Sequence, residues 1–216
     1  MKADLKKALK ELFAPKAGEF SSVTVPPLNY LMVDGHGNPN TSADYVAAIE
    51  ALYAVSYTLK FFSKKELDRD YVVPPLEGLW WAEDPDAFRS HQKDDWDWTM
   101  MIMVPEWLAA DQVRNAIDAA QAKKPGLDLA GLRFESLEEG PCVQIMHVGS
   151  YDDETPTLLR LHDEYLPQAG LKERGKHHEI YLSDPRKTDP AKLRTVLRQP
   201  VTRIQSESEP TLTDGR

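Results

Sequence analysis

One pattern occurs twice in this chain, and the repetition restricts its fold more than any bulk property does. YLMVDGHGN (residues 30–38) sets against QIMHVGSYD (residues 144–152), with Leu31 against Ile145, Met32 against Met146 and Gly35 against Gly149. Each run reads as a strand and a glycine-containing turn, followed by a helix and two further strands. Internal duplication is sought before a fold is assigned. The reading is α+β: tandem β-α-β-β modules, about 20–108 and 109–204, related by pseudo-twofold symmetry. Helices pack on one side of the sheets, and the open side collects polar and aromatic residues of both halves.

The first half opens with an N-terminal extension, residues 1–19. There Leu5, Leu9 and Leu12 recur at helical spacing over residues 2–13. So short a helix is marginal alone and must dock on something. A strand is expected at Asn29–Val33, then a turn at Asp34–Gly37, with Thr41 as cap of a helix reaching about Lys64. Its stripe runs through Tyr45, Ile49, Leu52, Tyr53 and Ser56. Strands follow at Gly78–Glu83 and at Trp96–Val104, across a polar loop at Pro85–Asp95. The second half reads as a helix over Ala109–Lys123, strands at Leu132–Leu137 and Val143–Val148, and a helix over Glu154–Leu166. Strands at His177–Leu182 and Leu197–Ile204 complete it. Residues 205–216 are Ser-, Glu- and Pro-rich and are expected to be disordered.

Candidate site residues gather on these strands. In HHEIYL (177–182), alternation puts Glu179 and Tyr181 on one face and Ile180 and Leu182 on the other. A mid-strand carboxylate beside a phenol builds a poor core and a good pocket wall. Among aromatic rings, Glu179 can pair with a cation, or act as a general base because desolvation raises a carboxylate's pKa. Trp80, Trp81 and Trp98 offer flat walls for an aromatic or cationic ligand. Trp80 and Trp81 cannot both face one cleft from a regular strand, and the sequence does not say which one does. Tyr151 or Tyr181 could donate to a developing oxyanion. Tyr30, Tyr57 and His147 complete the expected lining, although a tyrosine on a helical stripe also serves as ordinary core. His147, His177 and His178 invite a metal reading, but no HExxH, His-x-His or second cysteine supports one. Cys142 lacks an evident base, and Asp184 with Arg186 reads as a turn-stabilising pair. No glycine-rich phosphate loop is present, so no metal and no cofactor is expected.

Charge narrows the partners. A formal net charge of −9 with pI near 5.2 argues against a nucleic-acid-binding face, which needs clustered Lys and Arg. No apolar run reaches the roughly 20 residues of a membrane span. The single cysteine gives no disulfide framework, so a cytoplasmic protein is expected. A homodimer stays open.

PPLEGLWW (74–81), DWDWTMMIMVP (95–105), QIMHVGSY (144–151), HHEIYLSDPRK (177–187) and LRTVLRQPV (193–201) together resemble the GyrI-like small-molecule-binding family. The resemblance spans roughly residues 20–204. It is closest to a stand-alone subgroup in which some members hydrolyse cyclopropane-bearing genotoxins. It implies an SHS2-like tandem fold with a ligand cleft between the halves and Glu179 as the pocket glutamate. Relatives sense drugs in transcription regulators or inhibit DNA gyrase. Too few residues precede the domain for a helix-turn-helix unit, so direct regulation of transcription is not expected. The readings carried forward are a cyclopropanoid hydrolase, a sequestering or sensing protein for flat hydrophobic or cationic compounds, and, with less support, a gyrase-binding module.

Overall fold

The computed structural model describes residues 2–84 and 92–204; the expected tail and most of the Pro85–Asp95 loop lie outside the described residues. Among the described residues, nine strands form one antiparallel sheet: β1 (Ser21–Val25), β2 (Leu28–His36), β3 (Leu76–Trp81), β4 (Asp97–Val104), β5 (Arg133–Leu137), β6 (Gly140–Val148), β7 (Leu171–Glu173), β8 (His177–Tyr181) and β9 (Arg194–Arg203). The order is β1-β6-β9-β8-β3-β4-β2-β5, with β7 on the end of β9. Within it, β3-β4-β2 of the first half and β8-β9-β6 of the second repeat one arrangement about the central β3–β8 pair.

The duplication reaches further than the sequence suggested. Ser21 to Arg133, Leu28 to Gly140 and the helix starts Ala43 to Thr155 are each separated by 112 residues. The Met32/Met146 and Gly35/Gly149 match is therefore two residues out of step with the elements. A slip of two keeps every side chain on its own face, which is why the letters still matched. β1 was not foreseen. Only Pro26-Pro27 separates it from β2, yet the two stand near opposite ends of the sheet order. So the sheet must curl until its ends approach. Val25, Leu28 and Leu137 from those ends accordingly share one apolar cluster with Leu79 and Ile180 from its centre.

One face carries α3 (Ala43–Glu66) and α4 (Ala110–Lys123), packed on Leu31, Trp98, Met100 and Ile102. The second half places its helical segment on the same face. That segment is broken: α5 (Thr155–Leu159), a π-helical stretch Arg160–Tyr165, then α6 (Leu166–Gln168). Pro167 has no N–H to offer the preceding turn, so a regular helix cannot run through. The cap of α3 is Ser42, whose hydroxyl accepts from the Tyr45 amide, rather than the expected Thr41.

The opposite face is not open, contrary to expectation. The N-terminal segment forms two short helices, α1 (Leu5–Ala8) and α2 (Lys10–Phe13), broken at Leu9, and lays Leu12 and Phe13 against Tyr30, Met32, Met101 and Met103. A polar network is sealed beneath. His178 bridges Glu77 and Glu139 at 3.0 Å each, and Arg198 donates to Glu139 at 3.2 Å, to Gln144 at 3.2 Å and to the Leu12 carbonyl at 2.6 Å. The extension is thus held by hydrogen bonds as well as by apolar contact.

Gly35, expected in a turn, lies inside β2 opposite Trp98. A Cβ there would sit 2.0 Å from the Trp98 ring. Because that ring is wholly buried, it cannot move aside. Gly35→Ala is expected to destabilise the fold by about 3 kcal/mol, the upper end of ordinary overpacking. Urea unfolding reads this directly, and an unshifted midpoint would contradict the packing described.

Candidate functional site

The site is built on the central strand pair, on the helix-bearing face, in the gap between α3 and α5. Alternation along β8 sends His177, Glu179 and Tyr181 to that face and His178 and Ile180 to the other. The Tyr181 hydroxyl donates to Glu179 Oε2 at 2.8 Å and accepts from Trp80 Nε1 at 2.9 Å. His177 Nε2 stands 3.5 Å from the other oxygen, Glu179 Oε1. Both carboxylate oxygens of Glu179 are therefore addressed from its own strand.

Gly78 makes this chain of contacts fit. It pairs directly with Glu179 across β3 and β8. A Cβ on it would come within 2.8 Å of Trp80 Nε1 and 3.1 Å of the Tyr181 hydroxyl. The absent side chain is the space in which indole, phenol and carboxylate meet.

Around them runs an open groove of about 1580 Å³, larger than the roughly 300–1,000 Å³ of common small-molecule sites. Tyr45, Ile49, Tyr53 and Tyr57, four residues apart along α3, line one wall; Leu158 and Leu159 line the other. Trp96 stands edge-on to Trp80 at 5.7 Å, and Tyr151 edge-on to Tyr181 at 5.6 Å. Of the seven exposed large apolar residues among those described, Val46, Tyr57, Tyr151, Leu159 and Ile204 border this groove. A wet surface this apolar, rimmed by charge, marks a binding site.

Sequence reasoning missed a second carboxylate in the groove, Glu154. It is 4% exposed, and its Oε1 has no hydrogen-bond partner. Burial, then the charge of Glu179, push its carboxyl well above the ordinary glutamate range, while the Thr195 hydroxyl works the other way. The same causes act on Tyr181, whose phenol is raised well above its usual value by burial and by Glu179. Tyr151 is pushed up to about 12 by burial, then by Glu154 and Glu179. Both phenols are thus held as hydrogen-bond donors.

Of the expected lining, Trp80, Trp81, Tyr57, Tyr151, Glu179 and Tyr181 border the groove, Trp81 only at its rim. Trp81 points its ring to the other face, beneath the Lys176 ammonium at 3.1 Å from its centroid. Trp98 does not line the groove. It is fully buried one layer deeper, edge-on to Tyr45 at 5.3 Å, with Nε1 donating to the Gly37 carbonyl. Trp96, two residues earlier, supplies the wall instead. Tyr30 lies in the opposite-face core, because it alternates with Leu31. His147 also stays out of the groove: its Nε2 lies 3.0 Å from the Ser150 carbonyl and braces the turn after β6. Among the described residues, no cluster of three or more His, Cys, Asp or Glu could hold a metal ion.

The profile of the GyrI-like small molecule binding domain matches residues 18–202. The chain belongs to this family. An uncharacterised conserved protein from Listeria innocua shares 41% identity over 93% of this chain and 100% of its own, with a TM-score of 0.86. Two further Listeria innocua structures, each described as a hydrolase, share 40% and 39% identity. They cover 93% and 94% of this GyrI-like chain and all of their own, with TM-scores of 0.81 and 0.82. Comparison with curated proteins gave no match. Family membership makes the chain a small-molecule-binding domain, and no described helix is long and apolar enough to cross a membrane.

Proposed function

We propose that this GyrI-like protein binds flat, apolar, electrophilic compounds in the groove and hydrolyses a conjugated cyclopropane, with Glu179 as general base. The observation that carries the reading is the pair of carboxylates, Glu179 held by Tyr181 and Glu154 buried without a partner for Oε1, on an aromatic floor. Burial raises the Glu154 carboxyl towards the protonated form that a general acid needs. The hydrolase descriptions of the Listeria relatives support the same direction.

In the proposed reaction, Glu179 takes a proton from water as the water oxygen bonds to a ring methylene. The bond from that methylene to the conjugated ring carbon breaks, and its electron pair passes into the conjugated carbonyl. Glu154, held as the neutral acid, gives that oxygen its proton, and Tyr151 donates a hydrogen bond to it. Opening an aromatised leaving group in this way needs no oxidant and no cofactor. The aromatic walls of the groove hold a flat ligand beside Glu179, the positioning effect that makes a weak nucleophile effective.

A spirocyclopropyl cyclohexadienone is the test substrate, because opening converts the dienone to a phenol with a separate absorbance. Catalytic conversion by the wild-type chain is expected; binding without conversion would leave a sequestering protein in place of a hydrolase. The groove's carboxylates among aromatic rings also fit a flat aromatic cation, which favours sequestration as the second reading. Gly78→Ala offers a sharper check on the geometry. Its Cβ displaces Trp80 or Tyr181 from Glu179, and a shift of this size is expected to lower turnover by roughly 100-fold. An unchanged rate would show that the Trp80–Tyr181–Glu179 chain is not used.

A further inference from the structure

Whatever proton Glu179 takes from water must leave before the next turnover, and one neighbour on its own strand stands close enough to receive it. Oε2 is occupied by the Tyr181 hydroxyl, and the oxygen of that phenol already accepts from Trp80 Nε1. Indole is a donor only, so nothing beyond Tyr181 can receive a proton along this line. Oε1 faces His177 Nε2 at 3.5 Å, and the His177 side chain is 7% exposed. Like Glu179, His177 lines the groove, through which water and solvent protons pass.

We infer that His177 is the proton-return residue of the site: it receives from Glu179 the proton taken from water and releases it to the groove. The inference rests on the hydrolytic reading of Glu179. Protons balance over the cycle. One passes from water to Glu179, then to His177 Nε2, then to solvent, while solvent returns one to Glu154 after it has protonated the product. Glu179 and Tyr181 share its strand and its face. From β3, Trp80, paired with His177, brings an uncharged wall. The sequence gives the same assignment a simple form: HxExY, three residues on one face of one strand with the base in the middle.

The test has two arms. In the first, His177→Ala is assayed on the spirocyclopropyl dienone with and without added imidazole. The expected result is a 10- to 100-fold drop in kcat, within the range of general acid–base assistance, with KM little changed and kcat recovering as imidazole rises. A folded variant that keeps the wild-type kcat, or whose loss imidazole does not repair, would overturn the relay. The second arm needs no turnover and so separates this inference from the hydrolase reading. The nitrogen-15 resonance of His177 Nε2 is compared between wild type and Glu179→Gln. It is expected to move, while that of His147, bound to the Ser150 carbonyl outside the groove, stays in place. If His177 does not respond, the Glu179 contact is absent in solution and the relay falls, whether or not the protein is a hydrolase.

Discussion

Replacing Glu179 by glutamine is expected to abolish opening of a neutral cyclopropanoid while leaving its binding nearly intact. The amide keeps the size of the side chain and can still accept from the Tyr181 hydroxyl, now 2.8 Å from Oε2. It cannot take a proton from water. General-base assistance is typically worth about 10²–10⁴-fold, so the fall is far outside assay error. Titration of Trp80 and Trp96 fluorescence with the same compound should give a Kd close to that of wild type. For a flat cation the prediction reverses: the charge is lost from a partly desolvated wall, so binding itself weakens. Wild-type turnover by Glu179→Gln would assign the base to another residue, and Glu154 would be the first to examine.

The second large effect lies on the other side of the same strand. Arg198→Met removes the cation that ties Glu139, Gln144 and the Leu12 carbonyl together. Arg198 is 1% exposed and Glu139 4%. Removing one partner of a buried ion pair costs about 3–5 kcal/mol, and here it leaves buried Glu139 with His178 alone against its charge. The N-terminal helices should loosen first, since Arg198 holds one of their last carbonyls. Hydrogen exchange at Glu11–Phe13 together with urea unfolding would show both effects, and unchanged protection with an unchanged midpoint would contradict the account.

The network also sets a pH window for stability. Burial alone would raise Glu139, but His178 and then Arg198 pull its carboxyl down to about 2. That depressed group contributes stability present above its unfolded value near 4.5 and lost as pH falls from there towards 2. Burial alone would lower His178, but Glu139 and Glu77 raise it above the ordinary imidazole value. This contribution is complete below an unfolded value near 6.5 and is lost as pH rises through the higher folded one. Stability is therefore expected to be greatest between the two, in mildly acidic to neutral solution.

Much of this was legible in the chain, and the failures share a cause. Alternation placed Glu179 with Tyr181, and Trp96 with Trp98, on the correct faces, because a period of two is a local property. Depth is not local. Trp98 is sealed because Gly35 and Tyr45, distant in sequence, close over it, whereas Trp96 precedes β4 and stays at the groove. Glu154 looked like one more acidic residue before a helix with proline near its start. Only the fold buries it between Tyr151 and Glu179. β1 escaped because SSVTV is short and mostly polar, and its pairing with β6 comes from the exchange of leading strands between the halves. The buried Glu77–His178–Glu139–Arg198 set could not be read from spacing, since its members come from β3, β8, the β5–β6 link and β9.

The most direct test of the central claim is a single turnover in heavy-oxygen water, with the isotope located by mass spectrometry. If Glu179 activates water, the heavy oxygen appears in the ring-opened product of the first turnover, and the Glu179 side chain remains unlabelled. An unlabelled first product with the label left in Glu179 would mean that the carboxylate itself attacked the ring, and recovery of intact, unopened ligand would mean that the groove only binds.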